Sequence, residues 1–550
     1  MSNTNLQTSV LDPGRFPSEL LEHIFRHLAL RDLKSALLVC RHWRDRIGAS
    51  STLMGRVVLR FPKDRPLDRR HPGVWHVMAR RARLERCSVL SVEPWWAAFG
   101  SKLVRIDLSM VTVDLPVLLA MLRQTTNLRE LDVGYSTVVK GEDFDGDLRL
   151  NSLEVLLFHR ASPGLVKALK NGCPRLKRLS VTHHTAPGEP YLLELVQTVQ
   201  GTLKVLKLRL TDTVLEAVSE MDQLKLTNAW VQHCNDVLLT VQFCRLQPTL
   251  TTLSVFGRDI TGSILAEIGE LLTNLKHLSV CFAGIDHETL SMDFLRTMPK
   301  LESLHLLGDP HTRRFKHLQP IDPSRRANLK SLQLKYLSVH PDETWQFLAR
   351  SHRIQTLSLA FCHLQNWPQF AQALGRLPSL KQLTLHYNTV LAWPQTPARF
   401  TNATTKALTL SFPIPIPKNH LDSLLYSFPN LSELNLADTR TFDDATIQHL
   451  SHRFAKLRKL TIKSCFITDD TVRHFCQHPG QLERLELRTN SRVSSVGRLE
   501  EKIDTVVFVP AETGNRFRVF ESRLVWICWV VVFAFAFAFD YYYFSENYHQ

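Results

Sequence analysis

One hexamer pattern, L-x-x-L-x-L, recurs along most of this chain, and it constrains the fold more than any other feature. It runs from LVRIDL at 103 to LERLEL at 482, in sixteen copies that include LRELDV at 128, LKHLSV at 275, LKSLQL at 329 and LRKLTI at 457. The mean period is about 25 residues, within the range of repeat architectures. In a strand, alternate side chains share a face, so the apolar residues at the fourth and sixth positions point inward together. One such unit cannot close its own core, but a stack of them buries a continuous one. Apolar segments between the strands, such as 118–124 and 294–298, suit a helical return. The spacing is least regular at MDQLKL (221), which follows its neighbour after 18 residues and precedes the next by 29. Cys362, Asn388, Cys465 and Asn490 each stand three residues past a sixth position, where a buried polar or thiol side chain can satisfy loop backbone groups. KIDTVVFVP (502–510) suits one closing strand over the last repeat.

The pattern resembles leucine-rich repeats, and LRKLTIKSCFITDDTVRHF (457–475) looks much like their cysteine-type variant. The resemblance implies an α/β chain with a curved solenoid of about 16 repeats over 101–497 and parallel strands on its concave face. Outward positions there become candidates for capturing a target protein: Arg178, Lys207, Arg209, His305, Lys335, His386, Lys463 and Arg488. Glu130 and Asp132 form a contrasting acidic pair.

The N-terminal run FPSELLEHIFRHLALRDLKSALLVCRHW (16–43) has a different period. Leu20, Leu21, Ile24, Phe25 and Leu28 follow helical spacing, with Pro17 suited to the first turn. Asp32 reads as an N-cap for a second apolar set, Leu33, Ala36, Leu37, Val39, Cys40 and Trp43. Two short helices cannot bury all of this against each other, so a surplus apolar face is expected to seek a partner. The run resembles an F-box, with L-P-x-E-L-L-x-x-I-F-x-x-L, then D-L, then V-C-x-x-W matched except for Phe16 in place of Leu. The resemblance implies docking on a Skp-family adaptor, and through it on a cullin scaffold. The surface would comprise Phe16, Pro17, Leu20, Leu21, Ile24, Phe25, Leu28, Leu33, Val39, Cys40 and Trp43.

The expected organisation is a disordered 1–12, an F-box at 13–50, a linker and N-terminal cap at 51–100, the solenoid, and a C-terminal cap and apolar tail at 498–550. Trp75, Trp95 and Trp96 in the linker suggest packing. Between Arg56 and Arg105, 12 Lys/Arg face 4 Asp/Glu, part of a net charge of +15. Such a bias attracts acidic partners. No nucleic-acid motif accompanies it, so no nucleic-acid partner is expected.

The ten cysteines are scattered without a C-x-x-C pair, which suits reduced thiols. The first residues lack the apolar core of a secretory signal, so a cytoplasmic or nuclear location is expected. No nucleotide-binding, nucleophile-elbow or zinc-protease motif occurs, and the His183–His184 pair lacks a third ligand. The expectation is a non-catalytic subunit with no metal or cofactor. LVWICWVVVFAFAFAF (524–539) is near the lower length limit of a membrane span. It admits three readings: an artefactual or disordered chain end, a tail anchor making membrane contact, or a cap strand. Taken together, the two resemblances imply the substrate-recognition subunit of a Skp–cullin–F-box ubiquitin ligase. The alternative is a non-ligase repeat scaffold that binds a protein or membrane partner.

Overall fold

The computed structural model describes residues 17–509, apart from 62, 69–78, 93–95, 135–136, 142–147, 184–187, 209–210, 235, 258–259, 283–288, 310–315, 320–327, 340–341, 391–392, 413–415, 438–441, 454–455, 464–466, 489–492, 494–498 and 500–502. Phe16, Arg209, Trp75, Trp95, Cys465, Asn490 and the apolar tail lie outside the described residues. The chain forms two compact units, Met1–Thr404 and Thr405–Gln550.

The first unit opens with four short helices: α1 (Ser18–His27), α2 (Leu30–Ala36), α3 (Arg41–Ala49) and α4 (Ser51–Met54). They close a core of Leu21, Phe25, Leu33, Ala36, Ile47, Leu53 and Met54, with Leu28, Leu37, Trp43 and Val57 packed against it. The capping differs from expectation. Asp32 lies inside α2, whose N-cap is Ala29. Pro17 is the cap residue of α1 rather than part of its first turn. At α3 the cap is Cys40, whose Sγ accepts from the Trp43 backbone N–H at 3.4 Å.

Strand and helix then alternate, with all strands of the main sheet parallel. The fourth-position residues stand in unbroken register: Ile106, Leu131, Leu156, Leu179, Leu206, Ala229, Leu253, Leu278, Leu304, Leu332, Leu357 and Leu383. All are buried. Each buried leucine contributes about 1.5–3 kcal/mol relative to an exposed one, which is why the pattern tolerates so few polar exceptions. Helices such as Leu115–Arg123 and Glu189–Val199 return the chain and bury their own leucine and valine faces.

Two expectations change here. The strand of the irregular repeat is Asn228–Cys234, not the MDQLKL segment, which is turn and coil. The repeat is L-x-x-A-x-V at 226–231, so Ala229 hides a unit that restores even spacing with its neighbours. Similarly, the supposed linker contains repeat strands. Val58–Arg60 pairs with Arg81–Glu85, which pairs with Arg105–Ser109. Ala79 and Ala82 occupy leucine positions there, and the small side chains mask the pattern. Trp96 does pack, buried with Nε1 donating to the Met121 carbonyl at 2.9 Å.

At the loop position, Cys362 and Asn388 act as their spacing suggested. Asn388 Nδ2 donates to Leu359 O at 2.8 Å, and its Oδ1 accepts from Cys362 N at 2.9 Å. Thr137 plays the part in an earlier repeat, its hydroxyl donating to Leu108 O at 3.1 Å.

The second unit repeats the scheme over Ala407–Ser411, Glu433–Ala437, Lys459–Lys463 and Arg484–Arg488. Thr505–Val509 closes its sheet in parallel against Arg484–Arg488. Among the described residues, no helix is long and apolar enough to cross a membrane.

Candidate protein-docking surfaces

A helix turns about 100° per residue, so neighbouring apolar residues in α1 divide between two faces. Leu21 and Phe25 point inward and are 1% exposed, while Leu20 and Ile24 are 45% and 42% exposed. Phe25 meets Trp43 edge-on, ring centroids 5.0 Å apart. Of the candidate docking residues, therefore, Leu21, Phe25 and Leu33 build the module's own core. Leu28, Cys40 and Trp43 are half-buried, and Pro17, Leu20, Ile24 and Val39 are exposed. Leu30 and Leu38 are also exposed, Leu38 at 79%. Sequence spacing missed both, because helical periodicity assigns apolar residues to the core by default.

Polar contacts hold this arrangement. Glu22 accepts from Arg26 Nη2 at 2.9 Å and from Ser50 Oγ at 3.0 Å. The Arg26 bond, then the Ser50 bond, hold its carboxyl below the usual range. Arg56 donates to Phe25 O, Arg26 O and Leu28 O at the end of α1, where Phe25 O also accepts from the Leu28 N–H.

On the repeats, the outward candidates do not form one cluster. Arg178 and Lys207 are exposed on neighbouring strands but in different rows, since Lys207 aligns with Ser180. In the second unit, Lys463 and Arg488 align directly and are exposed. His305, Lys335 and His386 fall on nearby strands of the first unit. Burial, and then the Lys335 charge, push His305 downward; burial also pushes Lys335 downward. Of the acidic pair, Glu130 bonds Arg105 at 2.8 Å, whereas burial and then the Asp107 charge push Asp132 upward.

Successive repeats also carry a feature that sequence reasoning missed. Tyr336, Phe361 and Tyr387 each adopt a left-handed backbone, with φ of 54°, 53° and 51°, just beyond a main-sheet strand. The kink turns the chain into short strands of a second sheet, Leu337–Val339, His363–Leu364 and Thr389–Val390. Their rings stack, Tyr336 on Phe361 at 4.7 Å and Phe361 on Tyr387 at 5.3 Å. Bulky residues seldom adopt this conformation, so no sequence signal announces it.

Burial pushes the thiols of Cys173, Cys244, Cys281 and Cys362 up to about 12. Among the described residues, no group of three or more His, Cys, Asp or Glu side chains could hold a metal ion.

Comparison with known proteins adds to this geometry. The chain is similar to a TLR13–ssRNA13 complex at 14% identity, over 84% of this chain and 86% of that one, with a TM-score of 0.37. It is also similar to a Bacteroides fragilis protein at 15% identity, over 49% and 68%, with a TM-score of 0.26. No curated protein matches. The F-box-like family model matches residues 14–60, so the chain carries an F-box-like domain near its N-terminus, a non-catalytic protein-interaction module.

Proposed function

We propose that this chain is a protein-binding adaptor that holds one protein on its F-box-like module and another on its repeats. The observation that supports this reading most is the set of large apolar side chains, Leu20, Ile24, Leu30, Leu38 and Val39, left exposed on a module whose own core is complete. Exposed apolar surface of this kind marks an interaction site. In the finer form of the proposal, the module docks on a Skp-family adaptor and thereby on a cullin scaffold. The repeats then hold a target near a charged ubiquitin-conjugating enzyme. Catalysis would be by proximity, through raised effective concentration.

The second reading is a scaffold outside any ligase. It is favoured by the extent of the family match, which stops at residue 60 and leaves the ligase role to rest on the helical module alone. Purification of the tagged full chain separates the two. Co-purification of both adaptor and cullin, with ubiquitin transfer to a bound protein, is the ligase outcome. A chain that retains a repeat-bound partner but never a cullin is a scaffold.

A further inference from the structure

Six successive main-sheet strands of the first unit, from Thr252–Gly257 to Gln382–His386, contain no Asp or Glu at all. Their ionisable side chains are His277, Cys281, His305, Lys335 and His386. Lys335 is half-buried and, among the described residues, makes no ion pair. Its Nζ lies 5.2 Å from the Tyr336 centroid and 5.7 Å from that of Phe361. Asp309, beyond the strand end, acts by its charge on Cys281, and Cys281 in turn acts on Lys335. By contrast, strands nearer the N-terminus pair their charges, as in Arg105 with Asp107 and Glu130.

The register adds a shape to this charge. Lys335 aligns with Ala360, and Ala360 with His386. A methyl group therefore separates two long cationic or protonatable side chains, across two strand spacings of about 4.8 Å each. The aromatic row borders this gap. Its rings are stacked on one another, and His386 meets Phe361 edge-on at 5.4 Å. Stacking consumes ring faces and leaves ring edges, which carry the positive end of the quadrupole. Lys335 already lies over the Tyr336 and Phe361 rings, so an incoming base or guanidinium finds few free faces, while an anion meets favourable edges beside a lysine with no ion pair among the described residues.

We infer that an acidic peptide segment of the captured protein docks here, with one carboxylate seated over Ala360 between Lys335 and His386. The inference rests on the adaptor reading, since it names the chemistry of what the repeats hold.

Fluorescence anisotropy of the full chain with labelled octaglutamate, octaglutamine, octalysine and oligouridylate tests it. Octaglutamate should bind and the other three should not. Lys335→Met and Ala360→Leu should each weaken binding by about tenfold or more, the first by removing the charge and the second by filling the gap. Lys335→Arg should stay within about threefold, because the charge is kept. Lys204→Met, an exposed site just before the distant strand Val205–Lys207, should leave binding unchanged. Each variant should keep the wild-type unfolding temperature. The inference is overturned by unchanged binding in Lys335→Met, by equal losses in Lys335→Met and Lys204→Met, or by a preference for octalysine or for oligouridylate. Adaptor co-purification, scored on the same preparation, keeps the two readings apart. Loss of octaglutamate binding with the adaptor retained overturns this inference alone. Octaglutamate binding without any adaptor overturns the ligase reading alone.

Discussion

Arg56 reaches back to the end of α1, where its Nη2 donates to the Leu28 carbonyl at 2.6 Å. The same guanidinium bonds Arg26 O at 3.1 Å and Phe25 O at 3.4 Å. One residue after α4 thus secures the helix that presents Leu20 and Ile24. Arg56→Ala should destabilise the module by about 1–3 kcal/mol, as the Arg26 and Leu28 carbonyls lose a charged donor. Arg56→Lys should recover only part of this, because a single ammonium cannot reproduce the planar fork. Amide exchange across Ser18–His27 is the measurement, with faster exchange expected in both variants.

Leu332 and Gln333 are neighbours on one strand with opposite fates. Leu332 is 2% exposed between Leu304 and Leu357, whereas Gln333 is exposed. Leu332→Asp should cost several kcal/mol, about 3–5, by burying an unpaired carboxylate. Gln333→Ala should stay within about 0.5 kcal/mol. Thermal unfolding of both variants checks the strand phase, and equal effects would show it to be inverted.

Asp444 ties two repeats of the second unit together. Its carboxylate accepts from the Thr468 backbone N–H and hydroxyl, both at 2.8 Å, and from the Thr471 hydroxyl at 2.5 Å. Burial alone pushes this carboxyl up, but the Thr468 and Thr471 bonds outweigh it and hold the group below its usual 3.8. A group depressed on folding stabilises above its unfolded value, and that contribution is lost as pH falls through the folded one. Wild-type unfolding temperature should therefore fall between pH 5 and 2 more steeply than that of Asp444→Asn, which lacks the titrating group. Parallel pH profiles for the two proteins would contradict the assignment.

Cys173, Cys244 and Cys362 are buried, and their thiols are pushed up to about 12 from 9.0. Burial this deep leaves these thiols far less thiolate at a given pH than an exposed cysteine has. Mass spectrometry after thiol labelling at pH 8 should find these three slow in native protein and fast in denaturant. Rapid native labelling of any of them would show that its repeat opens readily.

The repeats were legible wherever leucine filled the inward positions, since burial demands apolar side chains at a fixed spacing. They became illegible where alanine replaced it. Ala82 faces inward in register with Leu59 and Ile106, and Ala229 with Leu206 and Leu253, but a small side chain carries little pattern. The docking surface was legible only in part, because one apolar stripe on α1 contains both Leu21–Phe25 and Leu20–Ile24. Which pair is buried depends on where α3 and α4 pack, and no local spacing determines that. Cys40 likewise reads as part of an apolar set until α3 is seen to begin there. The aromatic row could not be foreseen at all, since left-handed positions are normally marked by glycine.

The central claim is that the exposed face of α1 docks a Skp-family adaptor. Phe25 cannot test it, because a charge there would unfold the module's own core. Leu20→Asp with Ile24→Asp can, since both side chains are exposed and leave that core intact. The measurement is adaptor co-purification with the full chain, set beside its unfolding temperature. The account predicts that wild type retains the adaptor and that the double variant loses it with no change in unfolding temperature. Equal retention by the folded double variant, or no adaptor on the wild-type chain, would contradict it.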